Sequence, residues 1–256
     1  MKKFKKMLLL SLLFLLAIPF YGQGVSEAMG AIYMKEYDKA KEIINSGIDV
    51  NESDRGSYLL HVACFRGNPE IVKLLIAKGA DIHQVAGDGA TPIVHAGHGD
   101  TTGEIVQLLI DKGARVDVED KSGATAFRNA VYTILSSKSE KSFQPMRILL
   151  ENGADVDHRV PKGEAMGYTP LMSAVGWNKK DLAVFLIENG ANVNNVAADG
   201  MTPLMVAAGE GYLEMVKLLV MKGAKLDPVN NKGKSAIEIA RQKDLTSVAD
   251  YLEETR

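Results

Sequence analysis

The chain has 256 residues, 46% hydrophobic and 24% charged, which is enough apolar material for a packed domain and too much for a disordered one. Thirty basic against 32 acidic residues give a formal charge of −2; residues 1–24 contain four lysines and no acid, so the remainder carries −6. A net acidic body argues against nucleic acid or an anionic membrane surface as the partner.

Lys2, Lys3, Lys5 and Lys6 precede an apolar run from Met7 to Ile18, which Pro19 halts just before the small-residue stretch Gly22-Gln23-Gly24. That order reads as a secretory signal peptide over residues 1–24, cleaved after Gly22 or Gly24. The competing reading is an uncleaved anchor, but a helix needs about 20 apolar residues to cross a bilayer. The expectation is an exported protein, periplasmic or extracellular, with no stable membrane insertion after cleavage. Cys64 is the single cysteine, so no intrachain disulfide can form, which fits a bacterial envelope better than a disulfide-rich secreted scaffold. Nothing near it in sequence would lower its pKa, and a buried, unreactive thiol is expected. Asn51-Glu52-Ser53 would be a glycosylation sequon only in a eukaryotic secretory route.

From Gly47 onward one motif returns six times: Gly47-Ile-Asp-Val-Asn51, Gly79-Ala-Asp-Ile-His83, Gly113-Ala-Arg-Val-Asp117, Gly153-Ala-Asp-Val-Asp157, Gly190-Ala-Asn-Val-Asn194 and Gly223-Ala-Lys-Leu-Asp227. The intervals are 32, 34, 40, 37 and 33 residues, the range of a helical solenoid. An apolar stripe at helical spacing precedes the glycine in most units, as in Ile71-Val72-x-Leu74-Leu75-Ile76 and Met215-Val216-x-Leu218-Leu219-Val220. The glycine then supplies a left-handed residue that ends the helix. Ten residues later Gly89, Gly123, Gly200 and Gly233 close a turn between units. Thr91-Pro92, Thr169-Pro170 and Thr202-Pro203 come next, where a threonine hydroxyl can cap a helix and proline suits its first position. Small residues on this second, shorter helix (Ala63, Ala96, Ala130, Ala174, Ala207 and Ala240) let neighbouring helices approach closely. Asn230-Asn-Lys-Gly-Lys-Ser235 ends like a phosphate loop, but Pro228 stands where that motif needs a glycine, so it reads as a repeat turn. The pattern as a whole predicts an all-α array of turn, short helix, longer helix and turn.

These residues make the chain resemble the ankyrin-repeat family. The closest match to the family pattern is Asp199-Gly-Met-Thr-Pro-Leu-Met-Val-Ala-Ala-Gly-Glu-Gly211 followed by Glu214-Met-Val-Lys-Leu-Leu219, and the resemblance covers residues 27 to 254. It implies a solenoid of helix-turn-helix units joined by β-hairpin-like turns. The expected division is an N-terminal capping unit at about 27–52, repeats at 53–85, 86–119, 120–159, 160–196 and 197–229, and a C-terminal capping unit at 230–256. Both ends carry charge where inner units are apolar, as solenoid caps must.

Two departures stand out. The family histidine after Thr-Pro-Leu is kept only as His61; Val94, Arg128, Met172, Met205 and Glu238 replace it, so the hydrogen bonds it makes between turns are expected to be lost, leaving more of the stability to apolar stacking. Two stretches are also longer than their counterparts, Ser136–Gln144 by about seven residues and His158–Met166 by four. Insertions in such arrays map to loops and often to the binding face, but a longer loop also costs little and can be silent.

No Ser-His-Asp set, carboxylate pair or cofactor motif is present, and no cofactor or enzymatic activity is expected. His95 and His98 with Asp100 suggest a metal-dependent or enzymatic alternative, although such a pair needs further ligands. The resemblance places Arg55, Ser57, Asp88 and Glu210 on the concave face. It places there too the residues on which binding of another protein is expected to centre: Phe65, Arg66, His98, Arg128, Tyr132, Met166, Tyr168, Trp177 and Met201. Aromatic and arginine side chains dominate interface energetics, and Tyr168 and Trp177 put the expected centre at the fourth and fifth full units. The reading is thus a monomeric, non-enzymatic exported protein that binds a protein partner, as an envelope scaffold or accessory factor or, alternatively, as an immunity protein neutralising an exported toxin.

Overall fold

The computed structural model describes residues 23–100, 102–137, 142–159 and 167–256, so the expected leader lies outside it through residue 22. Fourteen helices, counted among the described residues, run in pairs: α1 (Gln23–Tyr33) with α2 (Tyr37–Asn45), α3 (Leu59–Arg66) with α4 (Pro69–Ala77), α5 (Pro92–Gly99) with α6 (Glu104–Asp111), α7 (Ala126–Ser136) with α8 (Gln144–Glu151), α9 (Pro170–Gly176) with α10 (Lys180–Glu188), α11 (Pro203–Gly209) with α12 (Leu213–Met221), and α13 (Ala236–Gln242) with α14 (Thr246–Thr255). The odd-numbered helices pack side by side into an inner row and the even-numbered ones lie behind them. Among the described residues no helix is long and apolar enough to cross a membrane.

The apolar stripes form the core. Ile71, Val72 and Leu75 of α4, Ile105, Val106 and Leu109 of α6, and Met215, Val216 and Leu219 of α12 are buried between the rows, each large aliphatic side chain contributing about 1.5–3 kcal/mol. The glycine of each repeated motif takes the left-handed conformation expected of it, with φ from +88° to +96°. Cys64 is buried on α3, where desolvation pushes its thiol pKa far up, as a structural residue requires.

Helix starts depart from expectation at one threonine. Thr169 and Thr202 accept the amides of Met172 and Met205 at 3.3 and 3.2 Å, but the Thr91 hydroxyl is buried without a partner among the described residues. Pro92 alone begins α5. Asp100 stands at the far end of α5 and accepts the amides of Gly103 and Val106, both at 2.9 Å, so it organises the start of α6.

The loss of the repeated histidine does not leave the turns untied. Where His61 survives, its Nε2 meets the Ala90 carbonyl oxygen at 3.1 Å. Backbone amides bridge successive turns both at that junction and beyond it, Gly87 to the Gly56 carbonyl, Lys121 to that of Asp88 and Asn231 to that of Asp199, at 2.8, 2.9 and 3.1 Å. The Asn129 side chain donates to the Val94 carbonyl at 3.1 Å. Stacking is therefore supplemented by hydrogen bonds that need no particular side chain at the histidine position.

A second ladder runs through the repeated glycine motifs. Asn51 donates its Nδ2 to the Gly79 carbonyl and accepts the Asp81 amide, at 2.9 and 2.8 Å; Asn194 repeats this with Gly223 and Lys225 at 3.1 and 2.8 Å. Asp157 in the same register accepts the Asn192 amide at 3.1 Å, but its Oδ1 is buried without a partner among the described residues because a carboxylate has no hydrogen to donate. Asp157→Asn is expected to restore that donor and raise stability by about 1 kcal/mol. Urea denaturation checks this, and an unchanged or lower midpoint refutes it.

Of the first insertion, residues 138–141 lie outside the described residues. Ser136 extends α7 by its last turn, and the Phe143 ring packs against Phe185 with centroids 4.8 Å apart. Of the second, 160–166 lie outside. His158 reaches back to the Gly123 carbonyl at 2.9 Å and Arg159 forward to Val196 and Asn195 at 2.7 and 2.8 Å, so both residues staple neighbouring turns.

Candidate functional site

The concave face is built from the turn tips and the inner helices. In three successive units the second residue after the repeated alanine lies on this face: Phe65 after Ala63, His98 after Ala96 and Tyr132 after Ala130. Glycines let these helices come close. A methyl on Gly99 would lie 2.6 Å from the Phe65 carbonyl carbon, and one on Gly97 would lie 2.9 Å from Asn129 Cβ. The close approach carries the three rings into a row, Phe65 to His98 at 5.7 Å and His98 to Tyr132 at 6.4 Å between centroids, both edge-on. Such pairs are worth about 0.5–1.5 kcal/mol beyond area burial. Phe65 nevertheless stays 42% exposed and Tyr132 57%.

A second line of rings runs beneath the first. Tyr58 meets His61 at 5.5 Å, His61 meets His95 at 5.3 Å, and Phe65 also touches His95 at 6.1 Å. His95 Nε2 pairs with Asp88 Oδ2 at 2.9 Å. Burial, then the nearby His95, lowers the His61 pKa to about 4, and the same two causes lower that of His98. Both imidazoles are therefore neutral at pH 7. Burial disfavours the Asp88 charge, but the Ala90 amide and His95 hold the carboxyl below the ordinary carboxylate range. Between these lines lies an open cleft of about 410 Å³, lined among others by Tyr33, Arg55, His61, Phe65, Asp88 and His98.

The remaining expected residues fall elsewhere. Arg66 holds its guanidinium over the Tyr33 ring, 5.9 Å from the centroid. Arg128 is half-buried, making a long 3.5 Å contact to the Tyr168 carbonyl, and burial lowers its pKa. Tyr168 and Met201 are partly buried against the core. Burial, then the charges of Asp199 and Glu210, raises the Tyr168 pKa. Trp177 caps α9 and is 57% exposed, next to Asn178, whose φ of +51° takes the left-handed position that Gly67 and Gly211 hold in other units. Met166 lies outside the described residues. Phe65, His98 and Tyr132 are thus brought together in the first three full units, while Tyr168 and Trp177 stand apart from them. Tyr33 lines the cleft without having been expected, since it precedes the first motif and has no repeat register; Tyr58, at a threonine position, meets the His61 ring.

The chain matches a family model for ankyrin repeats (3 copies) over residues 28–120, 60–160 and 102–197, and one for ankyrin repeats (many copies) over 186–240. It is 26% identical to ankyrin repeat and SOCS box protein 6 of Pongo abelii over 162 residues, 62% of the chain, and 39% identical to palmitoyltransferase ZDHHC13 of Mus musculus over 67 residues, 24% of the chain. The aligned parts span 38% and 11% of those relatives. Among solved structures, the human ASB11 ankyrin repeat domain superposes with a TM-score of 0.71 at 30% identity, covering 90% of this chain and 97% of that one. A chain in the complex of the Bd0816 predatory endopeptidase from Bdellovibrio bacteriovorus with immunity protein Bd3460 superposes at 0.66 with 27% identity, covering 78% of this chain and 100% of that one.

Proposed function

This chain belongs to the ankyrin-repeat family, and from that premise we propose that it is a non-enzymatic exported protein that binds another protein through its concave face, as an envelope scaffold or accessory factor. The observation that carries the reading is the row of rings on three successive inner helices, exposed Phe65 and Tyr132 flanking the partly buried His98, with Trp177 exposed further along. Evenly spaced, half-exposed aromatics on a rigid support are what interface anchors require: large contact area at little ordering cost. Export is supported by the basic and apolar run ahead of Pro19.

Purification of the tagged full chain from its native envelope, with mass spectrometry of what accompanies it, supplies the partner for the test. Phe65→Ala with Tyr132→Ala, and separately Tyr168→Ala with Trp177→Ala, are then measured for affinity. At least one pair is expected to weaken binding by about 2 kcal/mol or more with folding intact; full affinity in both sinks the concave-face reading.

The immunity reading is favoured by one observation, the match to a chain in an endopeptidase–immunity protein complex. Under it the accompanying protein is an exported enzyme or toxin whose activity stops at one equivalent of this chain. A partner whose activity is unaffected leaves the scaffold reading.

A further inference from the structure

The row of rings on the inner face has a titratable member at its centre. His98 is partly buried between Phe65 on α3 and Tyr132 on α7, edge-on to them at 5.7 and 6.4 Å, and the Thr133 hydroxyl donates to its carbonyl at 3.2 Å, which ties this stretch of α5 to α7. Neither ring nitrogen of His98 has a hydrogen-bond partner among the described residues, and neither is enclosed, so solvent in the cleft is what satisfies them. The charges around the ring do not take over that role. Asp120, ahead of α7, favours a charge on His98, but it accepts Ser122 and Ala124 at 2.6 to 2.9 Å and makes no hydrogen bond to the ring. Asp88, ahead of α5, is engaged by the Ala90 amide at 3.0 Å and by His95 at 2.9 Å, and Asp100 by the amides of Gly103 and Val106. On α3, Arg66 turns to the Tyr33 ring and His61 meets His95; Arg55 lines the same cleft beside its partner Asp54.

A neutral imidazole here needs one donor and one acceptor from solvent, whereas an imidazolium needs two acceptors and brings a charge into an apolar row. Burial, then the nearby His95, already holds the His98 pKa below its ordinary 6.5, with Asp120 opposing. An apolar side chain laid across the row removes the remaining water, and desolvation disfavours the charged ring further. Resting on the concave-face reading, we propose that His98 makes this face pH-sensitive: a partner seated on Phe65, His98 and Tyr132 closes the imidazole off from water, is held while the ring is neutral and is released as the ring takes up a proton. The sign follows from linkage. The free face binds a proton that the complex excludes, so affinity is flat above the His98 pKa and falls as pH drops through it. A partner that instead brought a carboxylate to the ring would bind more tightly in acid.

The test uses the full chain and the protein that the tagged chain captures from its native envelope. Affinity is expected to fall about threefold or more between pH 7.5 and pH 5.5. His98→Phe keeps a ring in the row but cannot take a proton, and it is expected to lose most of that fall; comparison of the two chains removes any titration of the captured protein itself. In the unchanged chain, the imidazole NMR shifts of His98 are expected to titrate at lower pH in the complex than in the free protein. An equal fall in both chains, an affinity that holds or rises in acid, or a His98 titration that is the same free and bound overturns the inference, the last without need of a variant. The two readings separate at pH 7.5. If Phe65→Ala with Tyr132→Ala weakens binding but the fall in acid is absent, the face binds without this switch. If only Tyr168→Ala with Trp177→Ala weakens it, the inference falls and the concave-face reading stands; if neither pair does, or nothing is captured, the concave-face reading itself falls.

Discussion

Gly99→Ala is expected to cost about 3 kcal/mol or more of unfolding free energy, at the upper end of what one added methyl does in a packed interior. The added carbon would stand 2.6 Å from the Phe65 carbonyl carbon and closer still to the carbonyl oxygens of Cys64 and Phe65. These are backbone atoms of a neighbouring helix, so no rotamer change relieves the clash, and α3 and α5 must separate. Separation also breaks the Phe65–His98 contact, so the proposed concave-face binding is expected to weaken together with stability. Gly30 on α1 is the control: a methyl there meets nothing within 4 Å, and Gly30→Ala is expected to gain up to about 1 kcal/mol from helix propensity. Urea denaturation of the two variants checks the contrast; a Gly99→Ala loss below about 1 kcal/mol would show that the inner row yields more easily than its backbone contacts imply.

The second large effect is pH-dependent. His61 is 1% exposed, with a pKa moved from an ordinary 6.5 to about 4 by burial and by His95. Between those values the unfolded chain holds a proton that the native chain does not. Stability therefore falls as pH drops through that window and is unaffected by this group above it. The full window is worth about 3 kcal/mol, and the part between pH 7 and pH 5 about 2 kcal/mol. His98, lowered in the same direction, adds to the loss. His61→Gln keeps a donor for the Ala90 carbonyl and removes the titration, so its stability should drop less on going to pH 5 by about 2 kcal/mol. Equal drops in the two proteins would mean that protonation of His61 is accommodated in the folded state.

Much of the architecture was legible from Gly47 onward, because a helix end, a left-handed glycine and an apolar stripe are each set by contacts within a few residues. The proposed binding face was legible only in part. Phe65, His98 and Tyr132 were picked out one by one by residue type, and comparing the positions two places after Ala63, Ala96 and Ala130 would have shown them to share a register. Their edge contacts depend on Gly97 and Gly99, which read locally as mere small residues. Tyr168 and Trp177 carried the expected centre of the face, but Tyr168 packs partly against the core.

The recurring glycine motif, with its spacing of 32 to 40 residues, determined by itself that the chain is a stacked helical array and which residues form its core, since each unit encodes its own helices and cannot bury its apolar face without a neighbour. Only the tertiary structure decided which turns hydrogen-bond to which, that Thr91 and one oxygen of Asp157 lack partners among the described residues, and that the Phe65, His98 and Tyr132 rings meet in a row. The bonding between turns joins residues about one repeat apart. It depends on the rotation and distance between units, set by the summed packing of two helix rows, and no short stretch of sequence carries it.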